Sequence, residues 1–113
     1  MLIATAAYTA EDLHRGYGGR IMPAISSIVV TRPMNQNELG AQGWTSTTPV
    51  YDIRYLLHYF RLLPDGRMMF GGRGGLSAEP GALDRQLDNI EAAFRAYYPE
   101  WRHVEITHRW SGL

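Results

Sequence analysis

The clearest alternation of apolar and polar positions lies near the middle of the chain and predicts a β-hairpin. Two apolar and aromatic segments, residues 55–63 and 67–70, flank the tripeptide Pro64-Asp65-Gly66. Proline fixes φ for the first turn position, aspartate bonds its own backbone, and glycine accepts a positive φ. The second segment runs into glycine-rich residues 71–75, where missing side chains let a neighbouring group approach the backbone closely.

Because side chains alternate along a strand, the first segment of this hairpin has two different faces. One face carries Leu56, His58, Phe60 and Leu62, and the other carries Tyr55, Leu57, Tyr59 and Arg61. Neither face is polar enough to contact solvent alone. A ligand, another domain or another subunit could cover the face with Arg61. Alternatively both faces are core, and the Arg61 guanidinium reaches the edge to pair with Asp52 or Glu105. The pattern leaves these alternatives open.

A second clear pattern has the period of an α-helix and extends over residues 80–98. Pro80 at a first-turn position and Pro99 beyond the end mark its limits. Apolar residues recur at spacings of three and four and form one stripe: Leu83, Leu87, Ile90, Phe94 and Tyr97. On the polar side, Glu91 and Arg95 are four residues apart and are expected to pair.

The remaining segments predict shorter elements. We expect strands over residues 2–7, 21–31 and 102–110, a short helix over 10–15, a helical turn over 34–39 and a loop over 40–49. In the last strand, Val104, Ile106, His108 and Trp110 should share one face. This order predicts an α+β fold, with a mostly antiparallel sheet and one long helix packed on one face. Residues 1–113 have the length of a single domain.

Charge and composition exclude several classes of function. Eleven basic residues, all of them arginine, balance eleven acidic ones, so we expect neither nucleic acid nor a membrane as a partner. The chain has no cysteine, which removes disulfides and thiolate chemistry. The apolar N-terminus lacks the basic residues of a signal peptide, and a cytoplasmic location is therefore expected. The scattered histidines and carboxylates predict no metal site and no recognisable catalytic set.

Four stretches carry more information together than any single motif. They are residues 2–9, 21–33, 59–73 and 106–112, of which the third reads Y-F-R-L-L-P-D-G-R-M-M-F-G-G-R and the last I-T-H-R-W-S-G. In this order they resemble segments of FAD-dependent oxidoreductases of the D-amino-acid oxidase (DAO) family. Within that family they look most like the bacterial amine and amino-acid oxidases that include gamma-glutamylputrescine oxidase.

The resemblance implies a substrate-binding domain whose sheet lies over the isoalloxazine ring of FAD. Four residues would then bind the substrate: Tyr55, Tyr59, Arg61 and Arg73. Three residues near the N-terminus would contact the cofactor: Thr5, Ala6 and Tyr8. The parent enzyme would transfer hydride from a C–H beside an amine nitrogen to FAD, and oxygen would reoxidise the flavin to give peroxide.

The dinucleotide fingerprint G-x-G-x-x-G is absent from the sequence. We therefore expect a fragment of a longer protein, a truncated gene or an expressed domain, that binds no FAD by itself. Its partners would be the FAD-binding domain of the parent or a second copy of the chain, with a small amine or amino acid as substrate. The alternative is a stand-alone homodimeric α+β domain that binds a small ligand or protein partner without catalysis.

Overall fold

A computed structural model describes residues 4–5, 8–10, 12–20, 22, 24–75, 79 and 81–112. Within these residues the regular elements, in chain order, are β1 (Ser26–Thr31), α1 (Gln36–Gln42), β2 (Val50–Tyr51), β3 (His58–Leu62), β4 (Met68–Arg73), α2 (Ala82–Tyr97), a 3-10 turn (Pro99–Trp101) and β5 (Ile106–Gly112).

The five strands of the described residues form one sheet in the order β2-β3-β4-β1-β5, and every neighbouring pair is antiparallel. The long helix α2 packs against β1, β4 and β5. The predicted α+β class, with a mostly antiparallel sheet and one helix across a face, is therefore confirmed.

The hairpin β3–β4 turns where the sequence predicted. The Leu63 N–H donates to the Arg67 carbonyl at 2.7 Å, and the Gly66 N–H donates to the Leu63 carbonyl at 3.0 Å. Gly66 has φ of +81°, and a Cβ there would lie 2.9 Å from the Met34 carbonyl oxygen, so the position requires glycine. The strand limits differ from the prediction, because β3 begins only at residue 58 and β4 continues through Gly71 and Gly72 to residue 73.

The core lies between the sheet and α2. Leu87, Ile90 and Phe94 of the predicted stripe are buried and Tyr97 is half-buried, whereas Leu83 in the first turn is 42% exposed. Around Phe94 the core contains Val29, Phe60, Leu62, Met68, Phe70, Tyr98, Trp101 and Val104. Among the described residues no helix is long and apolar enough to cross a membrane.

Helix α1 was predicted only as a turn over residues 34–39. It extends instead from Gln36 to Gln42 because both ends are capped. The Asn35 side chain accepts from the Glu38 N–H while the Glu38 carboxylate accepts from the Asn35 N–H, and Gly43 ends the helix at φ of +69°. The predicted loop over residues 40–49 therefore begins three residues later than expected.

Other short elements also differ from expectation. Residues 12–20 form successive turns and no helix, so the predicted helix over 10–15 is wrong in its described part. Leu13, its main apolar residue, is exposed, and such a short helix needs packing to form. The strand expected over 21–31 is regular only from Ser26. Of the strand expected over 2–7, only residues 4–5 are described and they are not in a strand; Pro80 lies outside the described residues.

Strand β5 begins at Ile106, four residues later than predicted, and contains a bulge. Its register against β1 skips Thr107, so the side chains before and after this residue fall out of phase. Ile106 packs against the core on the α2 side of the sheet. Beyond the bulge it is Arg109 whose side chain lies on the α2 side, where it bonds Asp88. The predicted common face for Ile106, His108 and Trp110 is therefore wrong, since the last two lie on the opposite side from Ile106.

Candidate functional site

The side of the sheet away from α2 carries an aromatic and cationic surface, here called the open face. The strand registers place two rows of residues across it: Tyr51, Tyr59, Gly71, Ile28 and Trp110 in one, and Arg61, Met69, Val30 and His108 in the other. Neither helix of the described residues packs on this side. Tyr51 is 71% exposed and Trp110 is 46% exposed, so the open face presents large apolar side chains to its surroundings.

Tyr59 lies flat across the open face. Its hydroxyl hydrogen-bonds the Ser26 hydroxyl at 2.6 Å, two strands away, so the ring must pass over β4. It does so at Gly71, where a Cβ would lie 2.5 Å from the Tyr59 Cε2 atom. One function of the glycine-rich strand end is therefore to leave room for this ring.

Arg61 lies next to Tyr59 along the same face and is half-buried. Its Nε–H donates to the Thr47 carbonyl at 3.2 Å. Among the described residues it forms no ion pair with Asp52 or Glu105, the two structural partners considered from sequence. Its remaining guanidinium donors therefore have no described carboxylate partner.

Tyr55 and Arg73 lie apart from this pair. Tyr55 precedes β3 in a loop and is 100% exposed, so it does not share the strand face on which it was predicted. Arg73 is exposed at the end of β4. Both residues line a cavity of about 460 Å³ together with Met22, Ala24 and Leu56. The structure thus forms two groups from the four predicted substrate residues: Tyr59 with Arg61, and Tyr55 with Arg73.

The predicted cofactor residues occupy the N-terminal segment. The Thr5 hydroxyl bonds the Thr9 hydroxyl at 2.6 Å, and Tyr8 is largely exposed. Ala6 lies outside the described residues. The sequence has no dinucleotide fingerprint, and these exposed side chains do not form a cradle for a pyrophosphate. The described residues therefore do not fit FAD by themselves, and no step of flavin chemistry is derived from them.

A polar cluster on the helix side of the sheet was not found from sequence. The Tyr97 hydroxyl donates to the Asp52 Oδ2 atom at 2.6 Å, and the His58 Nδ1 atom lies 3.2 Å from the same oxygen. The Asp52 Oδ1 atom accepts from the backbone N–H groups of Arg54 and His58. The one sequence signal was an aspartate just before a turn, which often bonds the N–H two residues later.

The electrostatics of this cluster follow from its hydrogen bonds. Burial alone would raise the pKa of Asp52, but the donors Tyr97, the backbone N–H groups of His58 and Arg54, and the His58 ring lower it to about 2. Burial and the Asp52 carboxylate raise the pKa of Tyr97, so its hydroxyl keeps its proton and donates it. Within the described part of the chain no group of three histidines or carboxylates is arranged to hold a metal ion.

The order of the motifs resembles that of a class of flavoenzymes, and comparison with known proteins establishes the family. The model of the DAO family, described as FAD dependent oxidoreductase, matches residues 1–113. The chain therefore belongs to the FAD-dependent oxidoreductases of the DAO family. No solved structure matches it.

Three curated relatives match nearly the whole chain. A probable oxidoreductase OrdL of Rhizobium meliloti is 33% identical over 116 residues, covering 98% of this chain and 24% of the relative. Another of that name from Haemophilus influenzae is 29% identical over 115 residues, covering 99% and 25%. The gamma-glutamylputrescine oxidoreductase of Escherichia coli is 26% identical over 113 residues, covering 99% and 26%. The chain thus spans about a quarter of the length of these relatives.

Proposed function

We propose that this chain supplies the substrate-pocket sheet of a longer FAD-dependent oxidoreductase that oxidises the C–N bond of an amine or amino acid. In such an enzyme FAD accepts the hydride and oxygen reoxidises the flavin to give hydrogen peroxide. The observation that carries the proposal is the family match over all 113 residues, combined with a sheet face that bears Tyr59 and Arg61 and on which no described helix packs. The gamma-glutamylputrescine oxidoreductase relative supports an amine substrate.

In this proposal Arg61 and Tyr59 orient the substrate. The Thr47 carbonyl accepts from one guanidinium N–H of Arg61, which leaves other donors for a two-pronged bond to a substrate carboxylate. The Tyr59 ring forms a flat wall over Gly71. Arg73 and Tyr55 would lie at the rim, where they share a cavity.

The partner that covers the open face is the FAD-binding part of the same polypeptide. The lengths of the relatives support this choice, since three quarters of each lies beyond the matched region. A second copy of this chain is the other candidate, which the exposure of Tyr51 and Trp110 supports. A cytoplasmic location remains a prediction.

Steady-state kinetics of a full-length protein carrying this chain tests the pocket assignment. Arg61→Lys and Tyr59→Phe should lower kcat/KM for the preferred amine or amino acid, because the first removes the two-pronged bond to the substrate and the second removes the Ser26 bond that holds the Tyr59 ring in place. Arg102→Gln, which changes an exposed arginine in the turn before β5, is the matched control. If kcat/KM stays within about twofold of wild type in both pocket variants for every substrate, the hairpin is only scaffold.

A further inference from the structure

The segment between β2 and β3 forms a short loop, residues 52–57, that carries Tyr55. Its own apolar side chains do little to hold it, because Ile53 and Tyr55 are fully exposed and Leu56 is 54% exposed. A loop that buries so little apolar surface depends on polar contacts to stay in one conformation. Asp52, its first residue, makes these contacts.

Asp52 closes the loop by bonding its two ends together. Its backbone N–H donates to the His58 carbonyl at 3.0 Å, and its Oδ1 atom accepts from the His58 N–H at 3.0 Å. The same carboxylate oxygen accepts from the Arg54 N–H inside the loop, at 3.1 Å. One side chain thus joins the start of the loop, its interior and the first residue of β3.

The second carboxylate oxygen of Asp52 anchors the closed loop to α2. It accepts from the Tyr97 hydroxyl at 2.6 Å. The Arg54 guanidinium lies over the Tyr97 ring, 5.5 Å from its centroid, and the Arg54 Nε atom is 3.6 Å from the same oxygen. Tyr97 in turn packs edge-on against the buried Phe70 ring, with 5.4 Å between centroids. The loop is therefore tied to the core through Asp52.

The other end of the loop is joined to Arg73. The Arg73 N–H donates to the Leu57 carbonyl at 3.2 Å, so the end of β4 is bonded to the end of the loop. Tyr55 and Arg73 together line the cavity of about 460 Å³ at the proposed substrate rim. Since the contacts of Asp52 hold the loop closed, they also set the place of Tyr55 relative to Arg73.

We propose that Asp52 is a positioning residue for the substrate rim, which acts by holding Tyr55 beside Arg73. This inference rests on the proposed function, because the rim is part of the proposed pocket. Without the carboxylate, the N–H groups of Arg54 and His58 lose their acceptor, and Tyr55 loses its fixed place. The substrate then binds less tightly, whereas the loop takes no part in the chemical step.

Steady-state kinetics of a full-length protein carrying this chain tests the role of Asp52. Asp52→Ala should raise KM for the preferred amine or amino acid by about tenfold and change kcat by less than about twofold. Tyr55→Ala should raise KM similarly, and the double variant should match Tyr55→Ala, because Asp52 acts through Tyr55. Asp52→Asn retains a carbonyl oxygen for the backbone N–H groups and should lie between Asp52→Ala and wild type. Asp88→Asn, at an exposed aspartate on α2, is the control and should leave both constants unchanged.

Hydrogen exchange of the 113-residue chain gives a readout that is independent of catalysis. The amides of Arg54 and His58, which donate to Asp52, should exchange about tenfold faster or more in Asp52→Ala than in wild type. The amide of Phe70, in the central strand β4, should stay slow, which shows that the variant is folded. Unchanged exchange at Arg54 and His58 would show that Asp52 does not hold the loop.

Three kinetic results would overturn the proposal. The first is a KM within about twofold of wild type in Asp52→Ala although exchange shows an opened loop. The second is a set of effects of Asp52→Ala and Tyr55→Ala that add in the double variant, since Asp52 would then not act through Tyr55. The third is a loss confined to kcat. A full-length protein that oxidises no amine or amino acid would overturn the proposed function together with this role, whereas unchanged exchange would overturn this role alone.

Discussion

At the scale of single residues, Glu38 shows how one carboxylate can serve several elements. It closes the capping box of α1 and accepts two hydrogen bonds from Arg32, at 2.6 and 3.0 Å. The His103 ring lies 3.4 Å away. The bonds from Arg32, then that from the Asn35 N–H, lower the pKa of Glu38 from an ordinary 4.5 to about 2. Glu38 therefore ties the end of β1, helix α1 and the turn before β5 together in its ionised form.

This shift predicts how stability depends on pH. A carboxylate whose pKa is lower in the folded state stabilises the fold above its unfolded pKa, and the contribution is lost as pH falls through the folded pKa. Urea midpoints of the wild type should therefore decline between about pH 5 and pH 2. The advantage of wild type over Glu38→Gln should be largest near pH 7 and should shrink over this window. A difference that is the same at pH 7 and pH 3 would mean that the ionised carboxylate contributes nothing.

Tyr59 illustrates a second point at this scale. Its hydroxyl is already bonded to Ser26, so its ring, more than its hydroxyl, is available to a ligand over the open face. A phenylalanine at this position keeps the ring but loses the bond that holds it across Gly71. An effect of Tyr59→Phe on kinetics would therefore report the position of the ring and not a lost contact to substrate.

At the scale of elements, α2 connects the sheet to the segment before β5. Its buried residues pack on the sheet, and Arg95 near its end donates to the carbonyls of Arg102 at 2.7 Å and Val104 at 2.6 Å. Arg95 also forms the predicted pair with Glu91, at 3.0 Å, which is confirmed. The helix thus fixes the path of the chain into β5 in addition to covering the core.

Truncating the apolar side of α2 should be costly. Phe94→Ala should lower the free energy of unfolding by about 3–5 kcal/mol, and Leu87→Ala by about 2–5 kcal/mol, because both remove buried side chains. Equilibrium denaturation in urea measures both values. Leu83→Ala in the same helix is the control, and should cost much less since Leu83 is partly exposed. Losses within about half a kcal/mol for both buried positions would show that the helix does not pack on the sheet in this way.

At the scale of the whole molecule, helix α2 covers one side of the sheet, and no helix of the described residues packs on the other. Since the relatives are about four times longer than the matched region, we propose that the rest of a longer protein covers the open face. The residues that hold the dinucleotide in such enzymes are absent from this sequence.

The isolated chain should therefore not bind FAD tightly. Titration of FAD with the chain, followed by flavin fluorescence, should show no stoichiometric binding in the sub-micromolar range. A full-length protein carrying the chain is the positive control and should be yellow when purified. Stoichiometric binding by the isolated chain would place the flavin site within these 113 residues and would contradict the assignment of the chain as a substrate-binding domain.

Several features were determined by the sequence itself because their causes are local. The turn at Pro64-Asp65-Gly66 depends on the φ preferences of three adjacent residues. The apolar stripe of α2 depends on apolar residues that recur every three or four positions within one segment. The spacing of apolar residues and the residue types of a turn act over a few neighbouring positions, so both can be recognised in the sequence without knowing the fold. The order of motifs likewise sufficed to indicate the family that the comparison established.

Only the tertiary structure decided which distant residues meet. The bulge at Thr107 reverses the faces of β5, and Tyr59 reaches Ser26 across an intervening strand. Asp52 and Tyr97 bond although 45 positions separate them. Register, strand order and helix docking decide such contacts, and a shift of one residue moves every later side chain to the other face. No local pattern contains that information, because it arises when the whole core packs.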